Sequence, residues 1–196
     1  MSTFLTTIDA DHPAFHSLRS WHDQLHVHQA IMRLFPDNLA TDTKQARQSA
    51  EILFRVETSH GKQRILVQAG REPLHGNTKQ IDSMLKSLEN DDRIVFRTRV
   101  NAVVSLARTG RRQAVPTDQI PDWLVDRLRG LDDITLNSVR VEPFTFSRGA
   151  KKVRLHTAVI DGQARVVDAD AVRDLILHGL GRAKAFGCGL LSVAVL

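Results

Sequence analysis

The chain has 196 residues, 42% of them apolar and 25% charged, which suits one large domain or two small ones with packed cores and excludes a disordered tail. No apolar run approaches the ~18 residues of a membrane span, MSTFLTTIDADH at the N-terminus lacks the basic and apolar regions of a secretory signal, and the single cysteine, Cys188, excludes an internal disulfide framework and a cysteine-based zinc site. A formal charge of +5 favours a polyanionic partner, and with no membrane partner in view a cytoplasmic protein is expected.

In chain order, STFLTTID (Ser2 to Asp9) has the β-propensity of a first strand. From Leu18 to Phe35 the pattern turns helical: Trp21, Leu25, His28, Met32 and Phe35 fall on one stripe, while His22, His26, Gln29 and Arg33 form a separate polar face. Pro36 stops that helix. The run from Ala50 to Gly70 predicts a β-hairpin turning at Gly61. TKQIDSMLKSL (Thr78 to Leu88) fits either a strand or a helix. Asp91 to Ala107 predicts one long strand, in which Val95, Arg97 and Arg99 alternate with Phe96, Thr98 and Val100.

After the loop RTGRR (Arg108 to Arg112), Thr117 to Leu131 predicts a helix with Ile120, Trp123, Leu124, Leu128 and Leu131 as its apolar positions. Ile134 to Phe146 and Val153 to Asp168 predict a second long hairpin joined through SRGAKK, then a helix capped by Asp168, then an apolar closing strand, GLLSVAVL. From Arg93 onward the order is strand, helix, strand, strand, helix, strand. The first half suggests the same order with its second helix weak or missing. The expected fold is therefore α+β: two tandem ferredoxin-like (RRM-like) domains facing each other across a cleft, residues 1–90 and 91–196.

Basic side chains gather in three glycine-containing segments that read as loops. These hold Arg108, Arg111 and Arg112; Arg148, Lys151, Lys152 and Arg154; and Arg182 with Lys184. In such loops they either reach a phosphate backbone or are simply solvated turns. GLGRAKAFGCGLL (Gly179 to Leu191) carries four of the eleven glycines. Gly179, Gly181, Gly187 and Gly189 permit positive φ and the close approach of either a neighbouring domain or an RNA strand. The segment is neither a Walker loop, since no G-K-[ST] occurs, nor a Rossmann fingerprint, since it ends a helix. Aromatic residues are only 5% of the chain, which argues against a stacking platform for single-stranded bases and for a duplex stem read by shape and phosphate. No paired histidine spacing points to a metal, and none is expected.

The segments LHVHQAIMRLFP, VFRTRVNAVV and GLGRAKAFGCGLLSVAVL, in that order, resemble the CRISPR repeat-processing endoribonuclease of the type I-E Cascade complex, the CasE family. The most specific match is the C-terminal G-h-G-x5-G-x-G followed by a short apolar strand. The resemblance implies tandem ferredoxin-like domains and metal-independent cleavage of the CRISPR repeat RNA hairpin. In that reaction the RNA's own 2′-hydroxyl attacks the adjacent phosphate, giving 5′-hydroxyl and 2′,3′-cyclic phosphate ends. The protein then stays on the crRNA beside other Cascade subunits.

By motif position the catalytic histidine is His28, and the glycine segment becomes a loop that shapes the RNA groove, with Arg182 and Lys184 at phosphates. Two departures stand out: the position where some relatives carry a tyrosine, one turn before the histidine, is Leu25 in a chain with no tyrosine, and Asn101-Ala102 replaces Asn-Pro.

The chemistry needs a proton acceptor and positive charge. Histidine, with an ordinary pKa of ~6.5, suits the first, and Arg or Lys the second. His28 lies on the apolar stripe, so the pattern alone fits either a core histidine satisfied by a carbonyl or a half-buried base at the mouth of the domain cleft. His26 is the candidate assistant, and Arg33, on the same face, the candidate phosphate stabiliser. No cofactor is required. The rival function is a non-catalytic subunit that binds the RNA hairpin on the same fold.

Overall fold

A computed structural model describes residues 2–18, 21, 24–35, 51–59, 61–106, 110–148 and 151–196. Strand β1 (Phe4–Asp9) leads to helix α1 (Gln24–Met32) and then to the hairpin β2 (Leu53–Ser59) and β3 (Lys62–Ala69). Strand β4 (Asn77–Gln80) completes a sheet of order β2-β3-β1-β4, in which all neighbours are antiparallel. The connection from β3 to β4 spans only residues 70–76, so the second helix of a complete ferredoxin-like unit is missing, as the sequence suggested. The ambiguous run from Thr78 divides between both readings: it contributes to β4 and then to the short helix α2 (Asp82–Ser87).

The second unit runs β5 (Arg93–Asn101), α3 (Ile120–Val125), β8 (Leu131–Val141), β11 (Thr157–Val166), α4 (Ala169–His178) and β12 (Leu191–Val195). The labels between these belong to two small hairpins. One pairs β6 (Val103–Ser105) with β7 (Arg112–Ala114), the other β9 (Phe144–Arg148) with β10 (Lys151–Leu155). The main sheet has the order β12-β5-β11-β8, the ferredoxin-like arrangement expected. Asp168 caps α4 by accepting from the Ala171 N–H at 3.0 Å.

Three expectations need correction. The long strand from Asp91 breaks at Ala102, whose N–H bonds to the His156 carbonyl at 2.8 Å while its own carbonyl accepts from Val115, so β5 and β6 join different sheets. The second long hairpin is likewise two ladders, β8 with β11 and β9 with β10, interrupted around Pro143 and His156. The helix expected from Thr117 opens as a 3-10 turn, Thr117–Gln119, its α-helical part ends at Val125, and Leu131, expected on its apolar side, instead begins β8.

Two cores result. Ile8, Val27, Ile31, Phe54, Ile65 and Val67 anchor the first. Ile94, Phe96, Leu124, Ile160, Val172 and Ile176 anchor the second, and Ile81, Leu85 and Leu88 around α2 pack into that second core. Each fully buried aliphatic side chain contributes roughly 1.5–3 kcal/mol. Among the described residues no helix is long and apolar enough to cross a membrane.

The units are also joined by polar contacts. Arg55 on β2, 2% exposed, donates Nη1 to the carbonyls of Arg97 and Leu190 at 3.1 Å each and Nη2 to Ser192 Oγ at 3.0 Å. Its Nη2 also meets Glu57 Oε1 at 2.6 Å. Gln68 on β3 donates to the Ile176 carbonyl at the end of α4, at 2.7 Å.

Candidate active site

Helix α1 and the turn after it bury Val27, Ala30, Ile31 and Leu34 against the first sheet. This face is rotated from the stripe expected: Trp21, His28 and Met32 are half-buried, and only Phe35 of the described stripe residues is fully inside. Val27, Ile31 and Leu34 are aliphatic throughout, whereas the other stripe would carry an imidazole into the core. His28 therefore stands at the rim of the buried face. His26, Gln29 and Arg33 are exposed on the opposite side, where the periodicity put them.

Helix α1 also approaches the C-terminal glycine segment. α1 comes within 8 Å, Cα to Cα, of the 3-10 turn Lys184–Phe186, and so does β2. The segment is pinned at both ends: the Leu180 N–H bonds to the Gly189 carbonyl at 2.8 Å, and the Gly189 N–H to the Arg99 carbonyl on β5 at 2.6 Å. Lys184 Nζ donates to the His178 carbonyl at the end of α4. One loop thus touches the histidine helix, the first sheet and the second sheet.

Two glycines are fixed by packing. At Gly179, with φ 71° and ψ 164°, an added Cβ would stand 2.8 Å from both the Gly189 carbonyl oxygen and Leu53 Cδ1. At Gly187, with φ 73°, it would stand 3.1 Å from the Phe54 ring. Gly181 differs, since nothing lies within 4 Å of its missing side chain. Domain packing therefore accounts for Gly179 and Gly187, and the surface at Gly181 is open to another chain. Cys188, between Gly187 and Gly189, is buried, and burial pushes its thiol up to about 12. It is inert as a nucleophile at neutral pH.

The basic candidates divide. Arg182 is exposed on the glycine segment and forms no hydrogen bond or ion pair among the described residues. Arg111 and Arg112 are exposed at the β6–β7 hairpin, while Arg108, like His22 and Pro36, lies outside the described residues. Arg148 and Lys151 are register partners closing the β9–β10 ladder, with Lys152 and Arg154 exposed along β10. The cleft between the sheets is lined by Trp21, Arg55, Glu57, Arg97, Arg99 and Arg140, among others. There Arg97 meets Asp161 at 2.5 Å and Arg99 approaches Glu142 at 3.7 Å, so much of its positive charge is already paired.

Sequence reasoning missed Arg55, whose bonds to the second unit join positions 42 and 135 residues apart. It also took Trp123 as core alone, although Arg127, one helical turn on, places its guanidinium 4.3 Å over the Trp123 ring.

The family model for CRISPR associated proteins matches residues 3–194 of the chain. The chain belongs to this family. Within it, the Cascade subunit CasE of Escherichia coli is 27% identical over 201 residues, covering 91% of this chain and 96% of that one. The CRISPR-associated endoribonuclease Cse3 of Thermus thermophilus is 29% identical over 168 residues, covering 73% and 79%. The structure of Thermus thermophilus Cse3 bound to an RNA representing a pre-cleavage complex superposes with a TM-score of 0.76 at 24% identity, over 99% of this chain and 100% of that one. The CasE resemblance read from the sequence is borne out, and so is the fold class of tandem ferredoxin-like units.

Proposed function

We propose that this CRISPR-associated chain is the endoribonuclease that cuts CRISPR repeat RNA at its hairpin and stays on the crRNA as a subunit of Cascade, in the cytoplasm. The observation that carries the reading is that α1, on which His28 is half-buried, comes close to the glycine segment that also touches both sheets. In this reading His28 takes the proton from the 2′-hydroxyl next to the scissile bond. The freed oxygen attacks phosphorus, and the 2′,3′-cyclic phosphate forms as the P–O5′ bond breaks. The leaving 5′-oxygen takes up a proton from water and ends as a hydroxyl, since His26 is exposed on the far side of α1 from His28.

Arg182 and Lys184 supply positive charge for the phosphate, which carries more negative charge in the transition state than before it; Arg33, on the far side of α1 from His28, is not brought to it. The β9–β10 hairpin, with Arg148, Lys151, Lys152 and Arg154, meets the stem, and Arg108, Arg111 and Arg112 extend the phosphate contacts. Each step uses only side chains and the RNA's own nucleophile, so no cofactor or metal is needed. The absence of tyrosine favours a second reading, an RNA-hairpin-binding subunit without cleavage.

Incubation of the protein with its own repeat RNA in excess EDTA separates the two. Cleavage once per repeat at the hairpin, at the rate seen without EDTA, is expected. Tight binding with intact RNA would instead support the non-catalytic reading.

A further inference from the structure

A cavity of about 340 Å³ opens beside the glycine segment, on the second unit, and is lined by Asn101, Val103, Val104, Ser105, Trp123, Arg127, Gly181 and Arg182. Its volume is at the lower end of the range for small-ligand sites. Among the described residues two arginines and no carboxylate line it, so it favours an anion. Trp123 is 8% exposed, and its indole N–H is buried without a hydrogen-bond partner among the described residues. Arg127 lies over that ring and donates Nη1 to the Trp123 carbonyl at 2.7 Å, which fixes the guanidinium plane. Asn101 Oδ1 accepts from the His156 N–H at 3.0 Å, leaving its amide hydrogens as donors. Ser105 adds a hydroxyl.

We infer that this cavity holds one unpaired nucleotide of the RNA flanking the hairpin, its base against the Arg127 guanidinium and its phosphate at Arg182. The inference rests on the endoribonuclease reading above and adds a determinant of specificity to it. A flat guanidinium backed by an indole is a stacking surface for a base, and the donors around it suit the ring nitrogens and carbonyls of a base edge. A paired base cannot enter, because its faces are covered by its neighbours in the stem. The open surface at Gly181 lets the backbone pass to Arg182, which lies two positions before the turn that touches the histidine helix. The pocket would thus set the register of the strand relative to the cleaved bond.

Two uncleavable RNAs test this: the repeat stem-loop trimmed of all unpaired flanks, and the same stem-loop with its flanks. The wild-type protein is expected to bind the flanked RNA roughly tenfold more tightly, the scale of one base stacked on a protein surface. Arg127→Ala should remove that preference and leave the trimmed stem-loop bound as before. An abasic site at one flanking position should reproduce the loss on the wild-type protein, without any substitution that could disturb folding. A wild-type protein that binds both RNAs equally overturns the pocket and fits a site for an acidic protein side chain. Equal weakening of both RNAs by Arg127→Ala overturns it too, making Arg127 a stem contact. A protein that binds neither RNA overturns the endoribonuclease reading along with the pocket.

Discussion

His28→Ala is expected to slow single-turnover cleavage of the repeat hairpin by about 10²–10⁴-fold, the usual loss when a general base is removed. Affinity for the hairpin should change by less than about twofold, because a base acts on the transition state and adds little to ground-state binding. The expectation follows from position. His28 is half-buried on α1, the helix that approaches the glycine segment, and the core of that helix is built from Val27, Ile31 and Leu34. Removing the imidazole therefore takes little from that core, and melting should hardly move. His26→Ala should cost clearly less in rate, since His26 is exposed on the far side of the helix with Arg33. A His28→Ala protein that melts lower and loses binding and cleavage together would make His28 a structural residue. If His26→Ala were the inactive variant, the assignment of the two histidines would be reversed.

Arg55→Ala should destabilise the fold by about 3–5 kcal/mol, as when one partner of a buried ion pair is deleted. The guanidinium is 2% exposed and bonds to two carbonyls and a hydroxyl of the second unit as well as to Glu57. Burial pulls Arg55 below the ordinary arginine range, and Glu57 pulls the other way. It stays cationic at neutral pH. Truncation would leave the carbonyls of Arg97 and Leu190 without that donor and Glu57 without its nearest cation. The next, Arg97 Nη1, stands 4.0 Å away. Urea unfolding of wild type and variant measures the loss. A change below about 1 kcal/mol, within the range of an exposed pair, would mean that the junction does not depend on this arginine.

Much of the fold is written locally. The hairpin from Leu53 to Ala69 and the alternation along β5 follow from residues that sit next to one another, so a period of two and the Gly61 turn suffice. The ends of elements are less legible. Helix α3 stops at Val125 although apolar spacing continues to Leu128, and β5 stops at Asn101 because its next residue bonds to a different partner. The face of α1 was misread because Trp21 and Met32 extend an apolar stripe through His28, and only packing against the sheet decides which stripe is covered. The glycine segment announced itself by composition. That Gly179 and Gly187 are fixed by Leu53 and Phe54 could not be read from it, since those partners lie far away in the chain. Arg55 looked like one more charged residue on an alternating strand. Its burial depends on a second sheet that local pattern cannot place.

The central claim, that this chain lets RNA cut itself, is tested most directly by replacing one atom of the substrate. A repeat hairpin carrying a 2′-deoxy sugar immediately upstream of the scissile phosphate should bind the wild-type protein as tightly as the all-ribose hairpin and remain uncut in single-turnover conditions, while the all-ribose hairpin yields 5′-hydroxyl and 2′,3′-cyclic phosphate ends. Cleavage of the deoxy hairpin at a comparable rate would mean that another nucleophile, such as water, attacks the phosphate, and the mechanism assigned to His28 would be wrong.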